Sequence, residues 1–340
     1  MSRLVWLTLL LACACSSAEP AAVQVAPTDA GCSAHSEVQE ELAVMNAWGE
    51  MRGSLMLPAG CGSAPVVMIL PGSGPTNRDG NASDGSGPAM YRLLADALYA
   101  RGIGSFRYDK AGLGGSRNAA PKREVDQLFE HGVSNAALLA AALRSDARVG
   151  SLVLAGHSEG SLLAMLVAQQ MNVDGVVSLA GAGRPVGVLL REQLARSLDK
   201  QMFSEAERIL TELEHGRQVS SVPPVLSGLF RPSVQPYMMQ WLQIDPSKEA
   251  AKLRVPFAIF QGAADVQVLV VDAEKLREAR PDATYQVFDT MTHPLKGEDD
   301  TDPTQHAAYT DPNVPVLPEL VDAIDSFMLT TERGLRSARP

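Results

Sequence analysis

Basic residues are in short supply in this chain: 29 Lys and Arg stand against 39 Asp and Glu, a formal net charge of −10 at pH 7. Nucleic acid and anionic membrane surfaces both call for a basic patch, so the balance argues against either as a partner. It is compatible with a neutral or apolar small-molecule substrate. Cysteine is scarce too, with 4 in 340 residues. Cys13 and Cys15 lie near the N-terminus, which leaves only Cys32 and Cys61 for the body of the chain. Two thiols do not supply the ligands of a metal site, and neither a metal nor any other cofactor is expected. The sequence has no internal repeat and no long low-complexity tract, which excludes a repeat architecture. With 46% hydrophobic and 20% charged residues, it can still bury a large core.

The apolar run nearest the N-terminus is Leu4-Val5-Trp6-Leu7-Thr8-Leu9-Leu10-Leu11, preceded by Arg3. It is too short to span a bilayer as a helix and has the layout of an export signal over residues 1–17. Leu10-Leu11-Ala12-Cys13 resembles a bacterial lipobox, which implies lipidation of Cys13 as the mature N-terminus. Ala14 before Cys15 offers a second register, and a plain secretory signal cut near Ala18 is the alternative. Residues 18–36 are Ala, Pro and polar, a flexible tether. The protein is therefore expected outside the bacterial cytoplasm, periplasmic or membrane-anchored, touching membrane only through the lipid. In that oxidising compartment a Cys32–Cys61 disulfide is expected, pinning the N-terminal arm to the first hairpin.

The chain is organised around Gly156-His157-Ser158-Glu159-Gly160. The apolar run Ser151 to Ala155 leads into it as a buried strand, and Ser161 to Gln170 continues as an apolar helix. Strand, G-x-S-x-G, helix is the context of a nucleophile elbow. Its backbone is strained, and the flanking positions come too close to carry side chains, so both are Gly. The helix start aims N–H groups at any oxyanion formed at Ser158.

Elsewhere strands alternate with helices. Val38 to Met45 and Gly53 to Leu57 read as an antiparallel opening hairpin. Buried strands follow at Val66 to Leu70, Ile103 to Tyr108, Leu152 to Ala155 and Val176 to Gly181, with helices at Met90 to Arg101 and Val125 to Leu143. The alternation predicts an α/β fold with a mostly parallel sheet. It breaks over residues 186–252, where helical stretches occur without a convincing strand, as expected of a cap. It resumes with Pro256 to Gly262 and Thr284 to Phe288, and a last helix spans Leu317 to Leu329. The core thus comprises 37–185 and 253–332.

A serine nucleophile needs a base, and the base needs an acid to orient it. Asp265 follows the strand ending at Gly262, and His293 follows the next, so both fall at the carboxyl edge of the sheet where ligands bind. His306, in an acidic loop with no strand before it, is the weaker candidate base. Asp272 is expected on a solvated face, and His157 as a packing residue. The oxyanion hole needs two N–H groups: that of Glu159 and one from the loop after the Val66-to-Leu70 strand. Ser73, between Gly72 and Gly74, is chosen. Arg78 and Asp79 are expected to pair and hold that loop.

PGSGPTNRDGN (71–81), RYDKAGLGGS (107–116), GHSEG (156–160), QGAADVQV (261–268) and His293-Pro294-Leu295-Lys296 together resemble the α/β-hydrolases of the bacterial exported carboxylesterase type, close to serine aminopeptidase-like hydrolases. The resemblance runs over roughly residues 38 to 330. Thr292 and Pro294 beside His293, and Ala263-Ala264 before Asp265, depart from the family pattern without removing a catalytic group. The resemblance implies hydrolysis of short acyl esters of small molecules by Ser158, His293 and Asp265. An exopeptidase, lysophospholipase or thioesterase on the same scaffold is the alternative, and a non-catalytic binding lipoprotein a third reading. An exopeptidase would need cap carboxylates to hold a free amine. Glu192, Asp199, Glu205, Glu207, Glu212 and Glu214 are instead expected on solvated faces beside Arg and Lys.

The anchor can be tested on its own. The Cys13→Ser/Cys15→Ser protein is expected to move from the membrane fraction to the soluble periplasm with its hydrolytic activity unchanged. A wild-type protein that is already soluble, with its N-terminus beyond Ser17, would replace lipidation with ordinary secretion.

Overall fold

The computed structural model describes residues 38–58, 62–297 and 305–337. The export segment, the tether, Cys13, Cys32 and Cys61 lie outside the described residues. Eight strands form one sheet: β1 (Val38–Met45), β2 (Glu50–Leu57), β3 (Ala64–Leu70), β4 (Gly104–Tyr108), β5 (Val149–His157), β6 (Gly175–Leu179), β7 (Phe257–Gly262) and β8 (Thr284–Phe288). Their spatial order is β1-β2-β4-β3-β5-β6-β7-β8. The β1–β2 and β2–β4 pairs are antiparallel, and every pair from β4–β3 to β7–β8 is parallel.

The parity of the strand residues shows why the central runs are continuously apolar. Val66, Met68 and Leu70 of β3 join Leu152 and Leu154 of β5 in one core, whereas Val67, Ile69, Val153 and Ala155 face a second. Alternate side chains leave opposite faces of a strand, so helices on both faces demand an apolar residue at every position. On the first face lie α2 (Phe129–Ser145) and α3 (Glu159–Ala168), through Phe129, Leu139, Leu143 and Leu163. On the second lie α1 (Met90–Tyr99), through Leu94 and Leu98, and a C-terminal helix (Pro318–Ser337), through Leu320, Ile324 and Phe327.

Between β6 and β7 come only helices: α4 (Val186–Ser197), α5 (Lys200–Glu214), α6 (Ser227–Phe230), α7 (Gln235–Leu242) and α8 (Pro246–Ala251), with a short 3₁₀ turn at Pro224–Leu226. Their first four build a hydrophobic cluster of their own, containing Val186, Ile209, Leu210, Leu213, Phe230 and Met238. Tyr237 and Trp241 of α7 also pack against Phe129 of α2, at ring-centroid separations of 5.6 and 6.0 Å. Past β7 come α9 (Val270–Ala279), α10 (His306–Thr310) and the C-terminal helix, α11. No helix among the described residues is long and apolar enough to cross a membrane.

Two expectations need correction. Asp272, placed from sequence on a solvated face, is fully buried in the first turn of α9. Its carboxylate accepts from the backbone N–H of Gly183 at 3.2 Å and of Arg184 at 3.1 Å, and from the Arg184 guanidinium at 2.8 Å. The β6–α4 loop crosses this turn, as a Cβ added to Gly183 would lie 1.9 Å from the Asp272 carbonyl oxygen. Arg78 and Asp79 do not pair with each other. Arg78 grips Asp109 through Nε at 3.0 Å and Nη2 at 2.7 Å, and Asp79 pairs with the buried Arg107. β3 pairs in parallel with β4, so the loop after β3 reaches Arg107 in β4 and Asp109 just past its end.

Arg184 keeps Glu192 when Asp272 is removed, but the Gly183 and Arg184 N–H groups lose their acceptor in a buried turn, so Asp272→Ala is expected to cost about 3 kcal/mol. Asp272→Asn keeps an acceptor for the two N–H groups and should lose less. Urea unfolding midpoints check this, and an unchanged midpoint for Asp272→Ala would contradict it.

Candidate active site

Ser158 sits between the last residue of β5 and the first of α3, with φ 54° and ψ −121°. A non-glycine residue held there carries strain on the order of 1–3 kcal/mol, which persists only where the surroundings dictate it. Here they do. A Cβ on Gly156 would meet the Gly160 carbonyl oxygen at 2.0 Å, and one on Gly160 would meet the Leu70 carbonyl oxygen at 2.2 Å. The Ser158 N–H donates to the Leu179 carbonyl at 2.9 Å, fastening the turn to β6.

Asp265 and His293 come from the loops after β7 and β8, and the structure brings them together, Nδ1 to Oδ2 at 2.8 Å. Both are buried. An ionised carboxylate can only accept, so the Nδ1 of His293 is the donor of this bond. Burial pushes the Asp265 carboxyl upward, but the charge and hydrogen bond of His293, with N–H groups of Val268 and Gln267, bring it below the usual carboxylate range. The His293 loop lies across the end of β7, since a Cβ on Gly262 would stand 1.8 Å from the Met291 carbonyl oxygen. Thr292, one of the departures noted from sequence, ties the loop by donating Oγ1–H to the Lys296 carbonyl at 2.8 Å. His306 opens α10, and the carboxylate of Asp265 is engaged by His293.

The third part is the loop after β3. Gly72 packs against the elbow: a Cβ there would lie 3.1 Å from that of Ser158. Its N–H donates to the Tyr91 hydroxyl at 2.8 Å. Tyr91 Oη lies 2.9 Å from His157 Nδ1, and His157 Nε2 lies 2.9 Å from the His293 carbonyl oxygen. Only one assignment of protons satisfies the row. A carbonyl accepts, so His157 Nε2 donates; Nδ1 then accepts from Tyr91, whose oxygen accepts from Gly72. Burial, helped by the charge of His293, pulls the His157 pKa down to about 3, so the imidazole stays neutral. Burial also raises the Tyr91 pKa, keeping the hydroxyl protonated.

On the other side, Lys110 from the loop after β4 donates Nζ to the Gly72 carbonyl at 2.7 Å, and also to that of Gly74. Burial pulls its ammonium below the ordinary lysine range, against the attraction of Glu159. The Glu159 side chain is buried and accepts from the Tyr237 hydroxyl of α7. Burial raises its pKa, with Lys110 and Tyr237 opposing. Sequence reasoning missed Tyr91, Lys110 and Tyr237. Lys110 carried a readable signal, its place just past a strand at the sheet's carboxyl edge, whereas the two tyrosines look like core residues of amphipathic helices. Among the described residues no group of three or more His, Cys, Asp or Glu side chains could hold a metal ion.

Known proteins share this architecture. Est1E from Butyrivibrio proteoclasticus superposes with a TM-score of 0.54 at 14% identity, over 86% of this chain and 99% of that one. An esterase of Pyrococcus furiosus gives 0.53 at 13% identity, over 86% of this chain and 91% of that one. At such identities the likeness shows the fold, that of the α/β-hydrolases. Esterase EstD of Thermotoga maritima is 28% identical over 261 residues, 75% of this chain and 60% of that protein. The chain therefore spans well under two thirds of the length of that curated relative. The family model described as serine aminopeptidase, S33, matches residues 88–300, a stretch that includes Ser158, Asp265 and His293. The chain belongs to that family.

Proposed function

From that membership, we propose that the protein is a serine hydrolase of carboxylic esters that works through an acyl-enzyme on Ser158. The observation that carries the reading is the left-handed serine of the elbow at the same sheet edge as the His293–Asp265 pair. Ser158 Oγ attacks the ester carbonyl while His293 Nε2 takes its proton, and Asp265 stabilises the imidazolium. The N–H groups of Ser73 and Glu159 hold the oxyanion. The tetrahedral adduct expels the alcohol, which takes the proton from His293. Water then attacks the acyl-enzyme by the same route and releases the acid.

The esterase relative supports esters as the substrate class, and a small neutral ester with a short acyl chain fits the acidic surface charge. An aminopeptidase needs a carboxylate to hold a free amine. The cap carboxylates are engaged: Glu192 with Arg184, Glu207 and Glu214 with Arg191, Glu205 with Arg208 and Glu212 with Arg217. Asp199 caps α5 through the N–H groups of Gln201 and Met202. This engagement favours esters over peptides. The enzyme acts outside the cytoplasm, without cofactor or nucleic acid, held at a membrane by the lipid on Cys13.

Ser158→Ala should abolish hydrolysis of p-nitrophenyl acetate and labelling by a fluorophosphonate while the fold persists. His293→Ala should lose roughly 10³-fold or more in kcat, as expected for one member of a unit that works together. His306→Ala should stay near wild type. Retained activity in Ser158→Ala, or preference for aminoacyl anilides over p-nitrophenyl esters, would overturn the respective part of the reading.

A further inference from the structure

The loop that carries Ser73 is held by contacts that fix the direction of a single peptide unit. The C=O of Gly72 and the N–H of Ser73 belong to the same amide. In a trans peptide the two point in opposite directions, and no cis bond occurs among the described residues. Whatever holds the Gly72 oxygen therefore aims the Ser73 hydrogen. Lys110 Nζ holds it at 2.7 Å and also reaches the Gly74 carbonyl, in the peptide unit that follows Gly74, so it ties the loop on both sides of Ser73. The N–H of Gly72, one unit earlier, is held by Tyr91 at 2.8 Å. A Cβ on Gly72 would lie 3.1 Å from that of Ser158, so the bare glycine lets the strapped amide pack beside the nucleophile.

We infer that Lys110 is a positioning residue for the reaction, orienting and polarising the Gly72–Ser73 amide so that its N–H is preset for the oxyanion. The inference rests on the proposed serine mechanism. Two physical effects combine. A cation on a carbonyl oxygen draws electron density along the amide, which makes the N–H at the other end a stronger donor. The two-point grip also removes the loop's freedom to turn that N–H away, so little reorganisation remains when charge develops. The ground-state ester carbonyl is a weaker acceptor than the oxyanion, so the gain appears chiefly in the transition state. Glu159, whose charge attracts Lys110, has its side chain fastened by Tyr237.

Lys110→Met keeps the stem and removes the grip. Its kcat for p-nitrophenyl acetate is expected to fall by about 10²-fold, the scale of losing one oxyanion donor, with KM changed by less than about threefold. A trifluoromethyl ketone, which forms a tetrahedral oxyanion on the serine, should bind more weakly by the same factor as the loss in kcat/KM, as a transition-state mimic does. Lys110→Arg, which keeps the charge and can fork to both carbonyls, should recover at least roughly tenfold of the loss. An unchanged urea midpoint in Lys110→Arg keeps the comparison interpretable if Lys110→Met folds poorly. Lys110→Met with kcat near wild type, or with a raised KM and unaltered inhibitor affinity, would overturn the inference. Ser158→Ala separates the two levels: if that variant stays active the serine mechanism itself fails, and if it is dead while Lys110→Met is unimpaired only the role of Lys110 falls.

Discussion

Close backbone contact at the end of β5 is the constraint on which the site depends. With 2.0 Å between a would-be Cβ at Gly156 and the Gly160 oxygen, the chain can leave β5 for α3 only through a very tight turn. That turn lifts Ser158 into its left-handed conformation and sends His157 inward, where it becomes fully buried. The same closeness brings the β3 and β8 loops within hydrogen-bonding reach of the elbow, because Gly160 presses on Leu70 and His157 on the carbonyl of His293. Ser158, the His293 loop and the Gly72–Ser73 loop are thus positioned by one crowded junction.

Much of this arrangement is legible in the sequence, since it depends on local pattern. The unbroken apolar run of β3 and the G-x-S-x-G after β5 announce a sheet covered on both faces and an elbow at its edge. Asp265 and His293 are readable because each follows a strand and so falls at that edge. What stays hidden is set by which loops cross. Asp272 looks like an ordinary helical acid until the β6–α4 loop closes over it. Arg78 and Asp79 look like mutual partners until β4 offers Asp109 and Arg107. Tyr91 occupies an apolar-face position on α1, and nothing in that spacing says that its hydroxyl bridges Gly72 and His157. The lipidation and disulfide expectations concern residues outside the described structure.

The hydrogen-bonded row from Gly72 to His293 has a fixed polarity, and this bears on how the site responds to acid. Protonating His157 would give it two donors, so the Tyr91 oxygen would have to accept from both Gly72 and His157 and its own O–H would lose the acceptor it now has. The imidazole is therefore locked in one tautomer by its neighbours as much as by burial. Two histidine rings lie 4.7 Å apart at the centre of the site, but their duties differ. His157 is a structural strut with both ring nitrogens engaged, whereas His293 is tied to Asp265 through Nδ1.

The contact between Tyr237 and Glu159 couples parts of the chain that could otherwise vary separately. Helical inserts after β6 are a natural place for a hydrolase to change the walls around its substrate, because they enclose their own hydrophobic cluster. Here the insert also supplies the hydroxyl that satisfies a buried carboxylate next to Ser158. A transplanted insert that matched the shape of this one but lacked a donor at position 237 would leave that carboxylate without its partner. Exchange of the insert is then not modular: Glu159 and Tyr237 must be inherited, or lost, together.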